Sequence, residues 1–205
     1  MLTVVIDYGM SNLCSLTRAL EECGSKVLVS EHPGDLKAAT HIVLPGVGAF
    51  ADGMKNLNAS GFASAIREEV LGNGIPLLGI CLGMQLLADT GDEGGPTAGL
   101  GLVSGAVKRL SSGEHERIPH VGWNEVFPAA GSPFFAGIPE GTDFYFVHSY
   151  HFVPTESDSI AARTPYCGGF VSAIRRLPIW GVQFHPEKSQ LPGFRVLHNF
   201  LRFRG

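Results

Sequence analysis

Gly79-Ile80-Cys81-Leu82-Gly83 sits between an apolar run, Pro76 to Ile80, and a helix-like stretch over Leu82 to Ala88. A cysteine flanked by two glycines at a strand-to-helix junction has the pattern of a nucleophile elbow. The glycines permit a sharp turn that would hold the sulfur exposed on a strained backbone. The first N–H groups of the following helix would favour a thiolate and could receive an oxyanion. The bland alternative is a buried cysteine at a strand end, and the paired glycines favour the reactive one.

A thiol that attacks an amide needs a base, and the base needs an orienting carboxylate. His185-Pro186-Glu187 follows a strand-like run, Ile179 to Phe184, and can supply both. In extended chain, residues two apart face the same side, so Glu187 can reach His185 without long-range assembly. By itself His-Pro-Glu is a weak signal, because polar residues often close a strand, and the chain has eight histidines. The pairing with Cys81 rests on the combination. Pro45-Gly46-Val47-Gly48-Ala49-Phe50 follows a third apolar run. Read as G-x-G-x-x-A it could turn around a dinucleotide. It could equally be a tight turn, or a glycine strand whose N–H groups face the elbow and complete an oxyanion hole. The elbow cysteine in the same chain puts the last reading first.

These residues need a frame to hold them. Val4-Val5-Ile6, Lys26 to Ser30, His41 to Leu44 and Pro76 to Ile80 read as strands. Between them lie a helix capped by Asn12, with Leu13, Leu16 and Leu20 on one face and Gly24 at its end, and another over residues 61–71. Such alternation implies parallel strands with helical crossovers. Segments 105–110, 123–127, 144–150, 160–164, 170–175 and 179–184 then read as strands parted by Gly/Pro turns, residues 89–100 as a loop near the site, and residues 194–203 as a closing helix. The expected fold is α/β: a central mixed, mostly parallel sheet flanked by helices, forming one domain over residues 1–205.

Among the 205 residues, 44% are hydrophobic and 17% charged, with a net charge of −4, an ordinary globular balance. The basic residues are scattered, so neither a nucleic-acid nor an anionic-membrane partner is expected. No apolar run approaches the ~18–20 residues of a membrane helix, and the N-terminus lacks the layout of a signal peptide. Cysteines at 14, 23, 81 and 167 form no C-x-x-C pair. That spacing suits reduced thiols in the cytoplasm, with no metal, and at least three of them are expected to be small buried hydrophobes.

The stretches IDYGMSNLCSL, LPGVGAF, GICLGMQLL, GLGL, IPHVGWNEV, YFVHSYHF and WGVQFHPEKSQ, in this order, resemble the class I glutamine amidotransferase family over nearly the whole chain. Within it, PHVGWN and DYGxxNLxS resemble the subunits that feed a cyclase in histidine biosynthesis. The resemblance implies hydrolysis of glutamine to glutamate and ammonia by a Cys81, His185, Glu187 triad, with no cofactor. It places Val47 and Gly48 on an oxyanion strand beside the Leu82 N–H, and Gln85, Glu93, His148, Ser149 and Tyr150 around the bound glutamine. It implies a heterodimer with a (β/α)₈-barrel cyclase that receives the ammonia, contacted through Asn12, Trp123, Tyr145 and Lys188. It also implies low activity until that partner binds, for which a peptide flip near Val47 offers a route. Ser11 stands where the family pattern has glycine. On residue type alone Gln85 could be an exposed helix residue, Trp123 and Tyr145 core aromatics, and Lys188 a solvated charge. A γ-glutamyl hydrolase with no ammonia channel, a non-catalytic binding subunit, and a paralogous amidotransferase of surface-polysaccharide synthesis remain alternatives.

Overall fold

The computed structural model describes residues 1–111, 113 and 116–204. The first strands and helices are β1 (Leu2–Ile6), α1 (Leu13–Glu22), β2 (Lys26–Ser30), β3 (His41–Leu44), α2 (Phe50–Ser60), α3 (Phe62–Arg67), β4 (Leu77–Ile80) and α4 (Leu82–Gln85). There follow β5 (Thr90–Gly91), β6 (Thr97–Ala98), β7 (Gly105–Arg109), β8 (His120–Pro128), β9 (Thr142–His148), β10 (Tyr150–Pro154), β11 (Ile160–Thr164), β12 (Phe170–Arg176), β13 (Ile179–Val182) and α5 (Gln190–Arg202). Nine strands form one sheet in the order β2-β1-β3-β4-β13-β12-β11-β8-β9, and β10-β7-β5-β6 form a second. The large sheet is mixed as expected, parallel from β2 to β13 and antiparallel from β13 to β9.

The parallel half is covered on both faces, which is why β3, β4 and β13 are buried at every residue. Alternation along each strand divides its side chains between two apolar layers. Val4, Ile6, Ile42, Leu44 and Leu77 pack under α2, α3 and α4. Val5, Val43, Leu78, Ile80, Trp180 and Val182 pack under α1 and α5 through Leu16, Leu20, Val196, Leu197 and Phe200.

Several elements differ from the sequence expectation. A helix precedes residue 61: α2 turns Phe50, Met54 and Leu57 inward and ends at Gly61, whose φ of +82° breaks it. After α3 the chain closes in a wide turn over Glu68–Gly72. Asn12 occupies the N-cap of α1 but its side chain caps nothing. The helix after Cys81 is a single turn, not a run to Ala88. Leu100, Gly101 and Leu102 donate their N–H groups to the carbonyls of Leu86, Ala88 and Leu87, so the ladder cannot continue. Residues 89–100 are not all loop, because β5 and β6 pair as a short ladder there. Residues 144–150 are the ends of two strands, β9 and β10, parted at Ser149.

Glycine at position 83 answers a close approach rather than a left-handed φ. A β-carbon there would lie 1.8 Å from the Leu44 carbonyl oxygen. Backbone on both sides leaves no room to yield, so Gly83→Ala is expected to destabilise the fold by about 3 kcal/mol, at the upper end of overpacking costs. Urea unfolding measures this, and an unchanged midpoint with an unchanged slope would contradict it.

Candidate active site

Parallel strands end together on one side of the sheet, and the elbow lies at the end of β4. Cys81 has φ 54° and ψ −111°, a conformation that side chains other than glycine rarely adopt. Its N–H donates to the Val182 carbonyl at 2.8 Å, which ties the elbow to the end of β13. The strain sits on the cysteine itself, while the glycines permit contact: a β-carbon on Gly79 would meet the Gly83 carbonyl oxygen at 2.7 Å. The sulfur is not held exposed, since Cys81 is 6% accessible. The expectation for the other cysteines is also reversed, because Cys14 is exposed and Cys23 and Cys167 are half-buried.

His185 and Glu187 follow β13, but not in extended chain. Pro186–Lys188 form a 3₁₀ turn, and His185 precedes it with φ −100° and ψ 97°. The turn curls Glu187 back so that its Oε1 lies 2.9 Å from His185 Nδ1, with both side chains buried. Ser189 fastens this turn to β9: its hydroxyl donates to the His185 carbonyl and accepts the Tyr145 N–H. Burial acts to lower the pKa of His185, but the neighbouring Cys81 sulfur and the Glu187 carboxylate outweigh it and hold the imidazole up at about 10. Nε2 makes no hydrogen bond of ordinary geometry, so the influence of the sulfur on it is chiefly electrostatic.

The glycine loop lies against the elbow. The Leu82 N–H donates to the Gly46 carbonyl at 3.3 Å, and the Val47 N–H donates to the Met10 carbonyl at 2.8 Å. Two of the expected oxyanion donors therefore have backbone acceptors in this conformation. Gly48, at φ +110°, adopts a backbone that favours glycine. The Ser11 hydroxyl lies 3.5 Å from the Pro45 carbonyl, a contact that glycine could not make. Tyr8, which the sequence did not single out, places its buried and unpartnered hydroxyl against Gly46. Burial and the Cys81 charge both push that phenol upward in pKa.

Gln85 is buried rather than exposed. Its Nε2 donates to the Tyr150 carbonyl at 2.9 Å and to Gln183 Oε1 at 3.1 Å. Glu93 accepts the Phe50 N–H at 3.1 Å, so it caps the start of α2 beside the glycine loop. Burial raises its carboxyl in pKa, and that N–H partly opposes the rise. The Ser149 carbonyl is taken by the Leu110 N–H, and that of Tyr150 accepts from His148 Nδ1 as well as from Gln85. A carbonyl can only accept, so His148 carries its proton on Nδ1 and accepts from His120 Nδ1 at 3.0 Å. Asn124 completes the line at His120 Nε2. Burial lowers both imidazoles, His120 to about 4 and His148 to about 3.

Trp123 and Tyr145 are not core aromatics. They pair across β8 and β9 with ring centroids 6.0 Å apart, and Trp123 is 48% exposed. Alternation puts Val121 and Val147 on the same open face. Lys188 is exposed, as a solvated charge would be, and its Nζ lies 5.8 Å from the centre of the Tyr145 ring. Asn12, exposed at the head of α1, lines a cavity of about 20 Å³ together with Pro45, Val47, His185, Glu187 and Lys188.

Comparison with known proteins adds an independent finding. The family profile described as glutamine amidotransferase class-I matches residues 4–202. Over 197 residues the chain is 54% identical to the imidazole glycerol phosphate synthase subunit HisH of Moorella thermoacetica, covering 96% of this chain and 92% of that protein. It is 42% identical over 198 residues to subunit HisH 1 of Campylobacter jejuni strain RM1221, covering 97% and 98%. Among solved structures, that of PurLQS from Thermotoga maritima superposes with a TM-score of 0.75 at 20% identity, covering 98% of this chain and 97% of that one, a likeness of fold.

The two lowered histidines make stability depend on acidity. A group whose folded pKa lies below its unfolded value stabilises the fold above the unfolded pKa, near 6.5, and loses that contribution as pH falls toward the folded pKa. At pH 5, ~1.5 units below 6.5 at ~1.4 kcal/mol each comes to roughly 2 kcal/mol per histidine. Chemical unfolding at pH 7 and pH 5 should show this loss, while the His120 and His148 ring resonances stay those of neutral imidazole. Either ring titrating near 6.5 would contradict the assignment.

Proposed function

The chain belongs to the class I glutamine amidotransferase family, and from that premise we propose that it is the glutaminase subunit of an imidazole glycerol phosphate synthase, working through Cys81, His185 and Glu187. One observation carries the assignment. The strained Cys81 and the buried His185–Glu187 pair close adjacent parallel strands, where the sulfur and the carboxylate together raise the imidazole in pKa. The high position of His185 makes it an imidazolium beside the sulfur at neutral pH. Cys81 then attacks the side-chain carboxamide of glutamine, and His185 gives its proton to the departing ammonia, leaving a γ-glutamyl thioester. Water attacks that thioester while His185 takes a proton back, and glutamate leaves. Glu187 holds the imidazole throughout.

Gln85, Glu93, His148, Ser149 and Tyr150 surround the substrate in this reading, with Glu93 set near the substrate ammonium. The oxyanion is received by the Gly48 N–H group and, once their bonds to the Gly46 and Met10 carbonyls give way, by those of Leu82 and Val47. Because the Val47 N–H is bound to the Met10 carbonyl, activation requires breaking that bond, and the partner-facing segment around Asn12 is well placed to do so. The open stripe of Val121, Trp123, Tyr145 and Val147 beside Lys188 suits docking of a (β/α)₈-barrel cyclase that takes up the ammonia. No described helix is long and apolar enough to cross a membrane. The reading places the complex in the cytoplasm, where its four free cysteines stay reduced.

Cys81→Ala should abolish glutamine-dependent turnover of the complex, at least 10³-fold, and leave turnover with added ammonium salts intact. Normal glutaminase activity in that variant sinks the triad. Full activity toward γ-glutamyl peptides without a partner would favour a free-standing hydrolase. Trp123→Ala should weaken binding of the cyclase by tenfold or more in calorimetry, as loss of a central aromatic anchor does. Unaltered affinity would move the interface elsewhere.

A further inference from the structure

We propose that Gln183 is a positioning residue whose side-chain amide donates to the Cys81 sulfur and holds it in the attacking orientation, an inference that rests on the assignment of Cys81 as nucleophile. Gln183 directly follows β13, whose residues are all buried, and it is itself fully buried. Leucine or methionine would fill that place without carrying an amide out of water. Its Nε2 lies 3.7 Å from Cys81 Sγ, an ordinary distance for an N–H donor to sulfur.

The direction of this bond is determined from outside the pair. The Tyr150 carbonyl can only accept, so Gln85 must present its NH₂ group there. The same NH₂ group meets Gln183 at 3.1 Å, and Gln183 must answer with its oxygen. Its own NH₂ group is then left facing the sulfur. Reversing Gln183 would oppose two NH₂ groups in a buried site and turn an oxygen toward a charged sulfur, both costly where water cannot relieve them. Its backbone N–H donates to the Ser172 carbonyl at 2.9 Å, which keeps the residue in place beside β12. The sulfur thus receives a fixed donor distinct from His185, one that favours its ionised form and restrains its rotation.

The test uses the full chain, with Cys81 alkylated by iodoacetamide from pH 5 to 9 and followed by peptide mass spectrometry, which separates it from the other three cysteines. In Gln183→Met the alkylation profile should move up by about one pH unit, the tenfold effect of one lost hydrogen bond to a charged group. Gln183→Glu should move it further. In the cyclase complex both variants should lose roughly tenfold in kcat with KM nearly unchanged. Profiles in both folded variants that superimpose on the parent overturn the proposal. Should neither variant fold, the unmutated protein decides: the Gln183 side-chain amide resonances should shift with pH as Cys81 ionises, and resonances blind to that step overturn it. Alkylation requires no turnover of glutamine. A parent that shows the expected profile yet fails to hydrolyse glutamine would therefore refute the glutaminase assignment alone.

Discussion

At Gly83 the elbow backbone comes so near the end of β3 that only the absence of a side chain lets the Leu44 carbonyl pass. That approach sets the depth at which α4 meets the sheet, and much of the site follows from it. It brings Leu82 within reach of the Gly46 carbonyl and presses the glycine loop against the Tyr8 hydroxyl. Between β4 and α4 the chain has one residue in which to reverse, and Cys81 absorbs the reversal in its positive φ. The bond from Cys81 to Val182 then sets the sulfur level with the residues that follow β13. One steric allowance thereby aligns segments from the ends of three strands.

Around this junction a single residue type serves opposite purposes. His185 sits beside a carboxylate and a sulfur, and their charge lifts it. His148 and His120 sit among Phe146, Phe170 and Tyr166, and burial lowers them, against only a partial opposing pull of Glu116 on His120. One imidazole is ready to hold a proton, while two serve as neutral links in a hydrogen-bonded line. That line and the Gln85–Gln183 pair converge on the Tyr150 carbonyl, whose two lone pairs join the inner face of β8 and β9, opposite Trp123, to the sulfur. Rigidity at the nucleophile is thus supplied from β10, a strand of the other sheet.

The parallel core was legible because short apolar runs at 4–6, 42–44 and 77–80 leave few alternatives to buried strands. The elbow, the glycine loop and His185-Pro186-Glu187 were legible as local motifs. The helix α2 was hidden by Gly53, Asn56, Asn58 and Ser60, poor helix formers that mask an apolar face at 50, 54 and 57. Gly53 is tolerated because it lets Leu82 and Leu86 pack close, a fact of tertiary structure with no local signal. The reach of Glu187 to His185 was expected for the wrong reason, since a 3₁₀ turn and not a pleat brings them together. Gln183 could have been found: alternation puts it on the side of His185, a polar residue in an otherwise apolar run. Tyr8, His120 and Ser189 gave no such sign, because Gly46, His148 and Tyr145, which they meet across the fold, lie far away in sequence.

The positive φ of Cys81 carries a meaning over generations. A non-glycine residue held there costs of order 1–3 kcal/mol, a sizeable share of the stability of an ordinary domain. Glycine would relieve most of that strain and give up only the packing of one small buried side chain. Were the sulfur idle, drift under selection for stability alone would tend to replace it. A cysteine kept at this position is therefore a record of use, and a descendant freed from its chemistry would be expected to show the change first here.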